Sequence, residues 1–190
     1  MNFNELLEKR RAYRSLESIE ITESIVNDLY EALKLSASCF NNQPWRYVFV
    51  FEKDQLNKTY SALSEGNAWA KKSSMIIAVL SHRDLDCKMP DGRDYYKFDT
   101  GMASAILILK ATELGLVAHP IAGYNPDKVK EVLDIPEPFE VLTLIIVGKK
   151  SQEEGELLSD YQKEVEKKRP ERKQKSEVVY LNRFRFKASE

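Results

Sequence analysis

Apolar residues recur along this chain in two ways, at helical spacing and in short unbroken runs, and the two kinds of stretch take turns. The opening FNELLEKRRAY places Phe3, Leu6 and Leu7 on one side of a short amphipathic helix. Arg10 and Arg14, four apart, are expected on one face of that helix, with Arg11 beside them. After the link SLESIEI, Thr22 suits the N-cap of a second helix, ESIVNDLYEALKLSAS, with Ile21 and Val26 at the positions of a hydrophobic staple. Ile25, Leu29, Leu33 and Ala37 form its apolar stripe. A polar interruption, SCFNNQPW, then gives way to YVFVFE, which reads as a buried strand.

Asp54 is placed to cap a helix through QLNKTYSALSE, and KSSMIIAVLS supplies a second apolar strand. HRDLDCKMPDGRD, with Pro90 and Asp91-Gly92, predicts a surface excursion. A helix from about Thr100 to Leu114 follows. Its aliphatic residues Met102, Ile106, Leu107, Ile108, Leu109 and Leu114 do not keep to one face. A helix apolar on most sides needs cover on most sides, and a second subunit is one source of it. LVAHPIAGY is a strand or loop ending near Gly123, Asn125 caps PDKVKEVLD with Pro126 at the first helical position, and VLTLIIVGKK is a third strong strand. Short strands alternating with helices predict an α/β or α+β sheet with helices on its faces.

Composition narrows this picture mainly by exclusion. The chain has 190 residues, 43% hydrophobic and 31% charged, which suits one domain spanning 1–190 with a real core. A formal net charge of −1 gives no case for a nucleic-acid partner. No apolar run is long enough for a membrane, and no signal-peptide pattern opens the chain, so a cytoplasmic location is expected. Cys39 and Cys87 make no disulfide scaffold, and His82 and His119 no obvious zinc site. Charge is uneven only near the end: Lys163 to Lys175 carries seven basic and three acidic residues, and the apolar-aromatic VVYLNRFRF behind it suggests an arm that packs somewhere.

Four constellations carry possible chemistry. Arg10, Arg11 and Arg14 suit a phosphate, since several guanidinium groups grip and neutralise it; they equally suit a solvated face paired with Glu8 and Glu17. Arg172, Lys173 and Lys175 form a second basic group, which is either ordinary surface or the other side of the same anion site. Asn41, Asn42, Gln43 and Asn67 each offer a donor and an acceptor, the mixture needed by a ring edge that alternates carbonyl and N–H groups. Against that stands an Asx-type turn before Pro44, which would hold Gln43 extended. Gly123 is either a turn glycine or a place where backbone comes close to a flat ligand. No GxGxxG or Walker loop occurs, and Cys39 and His119 read better as packed residues than as catalysts.

Taken in order, these motifs resemble the FMN-dependent nitroreductase family, nearly end to end. RRAYR is similar to the family's Arg-Arg-Ser-x-Arg segment, with Ala12 where serine is usual. ASCFNNQPW resembles its Pro-Ser-Ser-x-Asn-x-Gln-Pro-Trp loop, with Ala37 for the proline and Cys39 for the second serine. Asn67 before MIIAV, the long helix DTGMASAILILKATELGL, and HPIAGYNPDKVKEVL with Ala122 and Tyr124 in a Gly-Gly-Phe loop complete the series; Ala70 stands where some members carry lysine.

The resemblance implies an α+β, three-layer α-β-α sandwich. Its central sheet is mixed and mainly antiparallel, its central helix is long and buried, and its C-terminal arm packs on the partner of a homodimer with two FMN sites at the interface. It implies FMN phosphate and ribityl contacts for Arg10, Arg11, Ala12 and Arg14, with Arg172 and Lys173 as a second phosphate grip. Ser38, Cys39, Asn41 and Gln43 would approach the flavin bound mainly by the other chain. Asn67 would lie near the ring, and Ile121, Ala122 and Gly123 would give backbone contacts to its reactive face. Phe40, Tyr95 and Tyr96 would wall the substrate space. No side chain serves as acid or base, and no metal is needed. The implied activity is ping-pong reduction of nitroaromatics, quinones or similar small acceptors with NADH or NADPH. A dedicated flavin-dependent oxidase or dehydrogenase of one metabolite, and a non-catalytic flavin-binding dimer, are the alternatives.

Overall fold

A computed structural model describes residues 1–184; Arg185 and Phe186, which close the proposed arm, lie outside the described residues. The elements run α1 (Phe3–Lys9), β1 (Leu16–Glu17), α2 (Glu23–Leu33), β2 (Arg46–Val50), α3 (Lys53–Tyr60), β3 (Met75–Ser81), α4 (Tyr96–Glu113), β4 (Val117–Ile121), α5 (Pro126–Val132), β5 (Glu140–Lys150), α6 (Asp160–Lys167) and α7 (Lys175–Val178). Together they form the α+β sandwich that the resemblance implies. β5 is its spine: β3 runs along one length of it, β4 pairs with residues 144–148, β1 pairs with Lys149 and Lys150, and β2 adds beyond β3. Every pairing among the described residues is antiparallel.

The pleat of β3 and β5 sorts side chains to two faces. Ile76, Ala78, Leu80, Leu144 and Ile146 join Leu56, Trp69 and Val129 on the side of α3 and α5. Met75, Ile77, Val79, Ile145 and Val147 join Leu29, Leu33, Ala103, Leu107 and Ala111 on the side of α2 and α4. All seven residues of β3 are buried, which is why KSSMIIAVLS has no polar alternation.

Caps set several boundaries. Thr22 and Asn125 cap α2 and α5 as expected, accepting from the N–H groups of Ile25 at 3.4 Å and Lys128 at 3.0 Å. Asp54 does not cap α3; it lies inside the first turn, and Glu52 at the cap makes no side-chain bond. α2 stops at Leu33, so Ala37 falls outside its stripe and is exposed. β2 is only partly buried, contrary to the buried strand expected of YVFVFE, because it lies at the sheet's end. α4 starts at Tyr96, before Thr100. Its buried stripe is Tyr96, Asp99, Thr100, Ala103, Ser104, Leu107 and Ala111, leaving Met102, Ile106, Ile108 and Leu109 only partly covered.

Candidate functional site

The first basic cluster does not lie on a helix. α1 ends at Lys9, and Arg10 is extended at φ −62°, ψ 114°. The backbone beyond it is committed to tertiary partners, so it cannot continue an i to i−4 ladder. The Tyr13 carbonyl faces His119 Nδ1 at 3.1 Å, and the Glu166 carboxylate accepts from the N–H groups of Arg14 and Ser15 and from Ser15 Oγ. Arg11 donates to the Glu166 carbonyl at 2.8 Å, fastening this connector to α6. The RRAYR segment is therefore an extended strap held by α6 from a remote part of the sequence.

That strap and the segment after α6 enclose a cleft of about 330 Å³ lined by Arg10, Arg11, Ala12, Arg14, Tyr161, Val165, Arg169, Pro170 and Arg172. The two basic groups thus meet, as one sequence reading allowed. Lys173 is exposed and does not line the cleft. Arg169, which sequence reasoning passed over, does: its guanidinium donates to the carbonyls of Glu8 at 2.5 Å and Arg10 at 3.0 Å. Among the described residues none of these five arginines has a carboxylate within ion-pair distance. Burial, then repulsion from Arg169, Arg172 and Arg11, lowers the pKa of Arg10. Uncompensated positive charge in a concave site fits a phosphate.

A second cleft of equal size shares Arg14 and passes Trp69 and Lys72. Trp69 stacks on His119 with centroids 4.8 Å apart, and its Nε1 donates to Asn67 Oδ1 at 3.2 Å. Asn67 Nδ2 in turn donates to the Gly123 carbonyl at 2.9 Å, a carbonyl that also accepts from Ser64 N–H at 3.0 Å. A contact chain thus runs from Tyr13 through His119, Trp69 and Asn67 to Gly123. A Cβ on Gly123 would meet Asn67 Nδ2 at 2.5 Å, so the missing side chain makes room for the Asn67 amide. The Gly123 N–H has no hydrogen-bond partner among the described residues, leaving an open donor beside a fixed carbonyl. Ile121 is buried with its carbonyl held by Thr143 Oγ1 at 2.9 Å, and Ala122 is exposed. His119 is buried, which pushes its imidazole down to about 4; it is neutral near pH 7, and Nδ1–H donates to Tyr13.

The carboxamide loop is built differently. Phe40, Asn41 and Gln43 all have left-handed φ values, 51°, 57° and 47°. Gln43 is thus not extended before Pro44; its N–H turns inward to Ser38 Oγ at 3.0 Å. Pro44 and Trp45 are buried, and the Pro44 carbonyl accepts from Ser81 Oγ at 2.7 Å. Asn41, Asn42 and Gln43 are exposed, and Phe40 is 88% exposed. Cys39 donates its N–H to Asp99 Oδ2 of α4 at 2.9 Å, and its sulfur is joined to Cys87 in a disulfide, a pairing the sequence reading does not contain. Tyr95 packs on Phe98, whereas Tyr96 is fully buried with its hydroxyl on Glu140.

The sequence profile of the nitroreductase family matches residues 64–149, which include Asn67, α4 and Gly123. A protein of Stenotrophomonas maltophilia K279a, provisionally named an NADH dehydrogenase/NAD(P)H nitroreductase, is 30% identical over 147 residues, covering 67% of this chain and 74% of that protein. The chain belongs to the nitroreductase family. Among solved structures, a nitroreductase family protein of Clostridium difficile 630 is 26% identical with a TM-score of 0.79, covering 97% of this chain and 100% of its own. An oxidoreductase described as containing FMN is 27% identical with a TM-score of 0.84, covering 98% and 95%. As a nitroreductase-family chain, this one keeps its arginine strap, its Asn67–Gly123 contact and its Gln-Pro-Trp loop on three separate parts of the fold.

Proposed function

We propose that this nitroreductase-family chain is an FMN-dependent oxidoreductase that takes electrons from NADH or NADPH and passes them to small acceptors such as nitroaromatics or quinones. The arginine cleft, in which no carboxylate of the described residues pairs with the five guanidinium groups, carries the reading, because a phosphate dianion is what such a cleft accommodates. The Gly123 N–H, without a hydrogen-bond partner among the described residues, supports it as an open donor. Arg10, Arg11, Arg14, Arg169 and Arg172 would neutralise the phosphate, with the Ala12 backbone against the ribityl chain. The Gly123 N–H would donate to the ring, and Asn67, already anchored at both ends, would hold that segment in place. When bound, FMN supplies the electron chemistry, alternately reduced by a nicotinamide and oxidised by the acceptor. Neutral His119, packed on Trp69, offers no proton to the site near pH 7.

One FMN-binding domain per chain in a homodimer completes the proposal. The partly covered Ile106 and Leu109 of α4, its exposed Phe98, and the exposed Val178, Val179 and Leu181 of the C-terminal arm are the apolar surfaces a partner would cover. Ser38, Cys39, Asn41 and Gln43 would then serve the neighbouring chain's flavin, with Phe40 and Tyr95 at the substrate space. No helix among the described residues is long and apolar enough to cross a membrane, and a cytoplasmic location fits the reading. The test is the visible spectrum of the protein after incubation with FMN and desalting. Retained flavin absorption, bleached anaerobically by NADH or NADPH and restored by a quinone, is expected; no retained flavin overturns the reading.

A further inference from the structure

We propose that Cys39 and Cys87 are a reversible thiol–disulfide site whose state sets how firmly the carboxamide loop is held. The inference rests on the reading above only in that the loop contacts FMN. Three left-handed non-glycine residues between 40 and 43 make a conformation that persists only where the surroundings fix it. Two ties outside the loop fix Cys39: its N–H bond to Asp99 and its bond to Cys87. The first is the one hydrogen bond of the Asp99 carboxylate among the described residues, since its other oxygen, Oδ1, is buried without a partner. The second reaches across 48 residues of sequence to the excursion between β3 and α4. There Cys87, 4% exposed, is the one buried residue between His82 and Tyr95, so the disulfide ties down the middle of an excursion otherwise held at its ends by the His82–Phe139 ring contact and the Arg83–Asp94 pair.

Cys39 is the more accessible partner and the point of attack. The thiolate of a dithiol reductant attacks Cys39 Sγ, forming a mixed disulfide and releasing Cys87 as a thiolate. The reductant's second thiolate then closes its own disulfide and releases Cys39. Two electrons and two protons pass to the pair, and a disulfide oxidant reverses the exchange. Reduction frees the loop and the excursion from each other, leaving the loop on Asp99 and its buried Pro44–Trp45 foot.

The experiment divides the full-length protein in two, one part oxidised with glutathione disulfide and the other reduced with dithiothreitol, both desalted anaerobically. Maleimide labelling after denaturation should count no thiols in the first and two in the second. Limited trypsin digestion at Arg83, Lys88 and Arg93 should be about tenfold faster in the reduced form, and its FMN dissociation constant higher by a similar factor. Cys39→Ser and Cys87→Ser should each resemble the reduced form and ignore dithiothreitol; if either fails to fold, the two wild-type states still decide. Free thiols that persist under glutathione disulfide overturn the proposal, as do equal digestion rates and equal FMN affinities in the two states. Absence of FMN binding in both states overturns the flavin reading instead, while the thiol count and digestion still judge the tether.

Discussion

The arginine cleft and the carboxamide loop show two ways of holding a binding surface. The cleft is built from one chain's own segments: α6 and the stretch behind it fold back on residues 10–15 and bond to them. The loop turns its carboxamides outward, in a left-handed backbone fixed by a buried Pro-Trp foot, one carboxylate and a disulfide. The difference teaches which part of the proposed site a lone chain can build. The converging charge is assembled within the chain, whereas the carboxamides that the proposal gives to a neighbour are exposed on a fixed backbone.

The sharpest break would come at the cleft. Arg10→Ala combined with Arg169→Ala removes two charge-assisted contacts, and the FMN dissociation constant is expected to rise about a thousandfold. Riboflavin, which lacks the phosphate, should bind the variant and the parent nearly alike. Flavin fluorescence quenching measures both ligands; an equal loss for the two would show that the cleft does not hold phosphate.

Next in size is the pH response of His119, the link between the strap and Trp69. Its folded pKa of about 4 lies below the ordinary 6.5, so between those values the unfolded chain binds the extra proton. Its contribution is therefore fully present above pH 6.5 and is lost progressively as pH falls to 4, by about 3 kcal/mol. Urea midpoints across that range should fall more steeply in the parent than in His119→Phe. Parallel slopes would mean the imidazole is not buried neutral.

Gly123→Ala should cost about 2 kcal/mol, because the new Cβ displaces the Asn67 amide from both its partners. Adding Asn67→Ala removes the clash, so the two costs should fall short of additive in a thermal or urea melt. Simple additivity would place the strain elsewhere.

What could be read from the sequence follows from where each signal resides. β3, β5 and the Thr22 and Asn125 caps were legible because their causes are local: apolar runs, and a side chain three residues from the N–H it serves. The RRAYR segment reads as helix by spacing but is pulled straight by Glu166 and His119, more than 100 residues away. Arg169 sits beside Pro170 in a basic run that resembles surface, and only the fold brings it to Arg10. Nothing in the spacing of Cys39 and Cys87 announces their bond. The motif order, not any one motif, made the family legible.

The smallest expected effect tests the shared half of the site. Asn41→Ala with Gln43→Ala removes exposed side chains that bond to each other, so the unfolding midpoint should fall only slightly, by the cost of alanine at two left-handed positions. FMN binding should weaken about tenfold, the worth of one or two neutral hydrogen bonds. Mixing sharpens the comparison with the cleft. If loop and cleft belong to different chains, refolding this variant with the Arg10→Ala, Arg169→Ala variant gives hybrid dimers with one doubly damaged site and one intact site. About a quarter of all sites should then recover parental FMN affinity at equal mixing. If loop and cleft serve the same chain, no intact site can form, and titration of the mixture will show only the two damaged affinities.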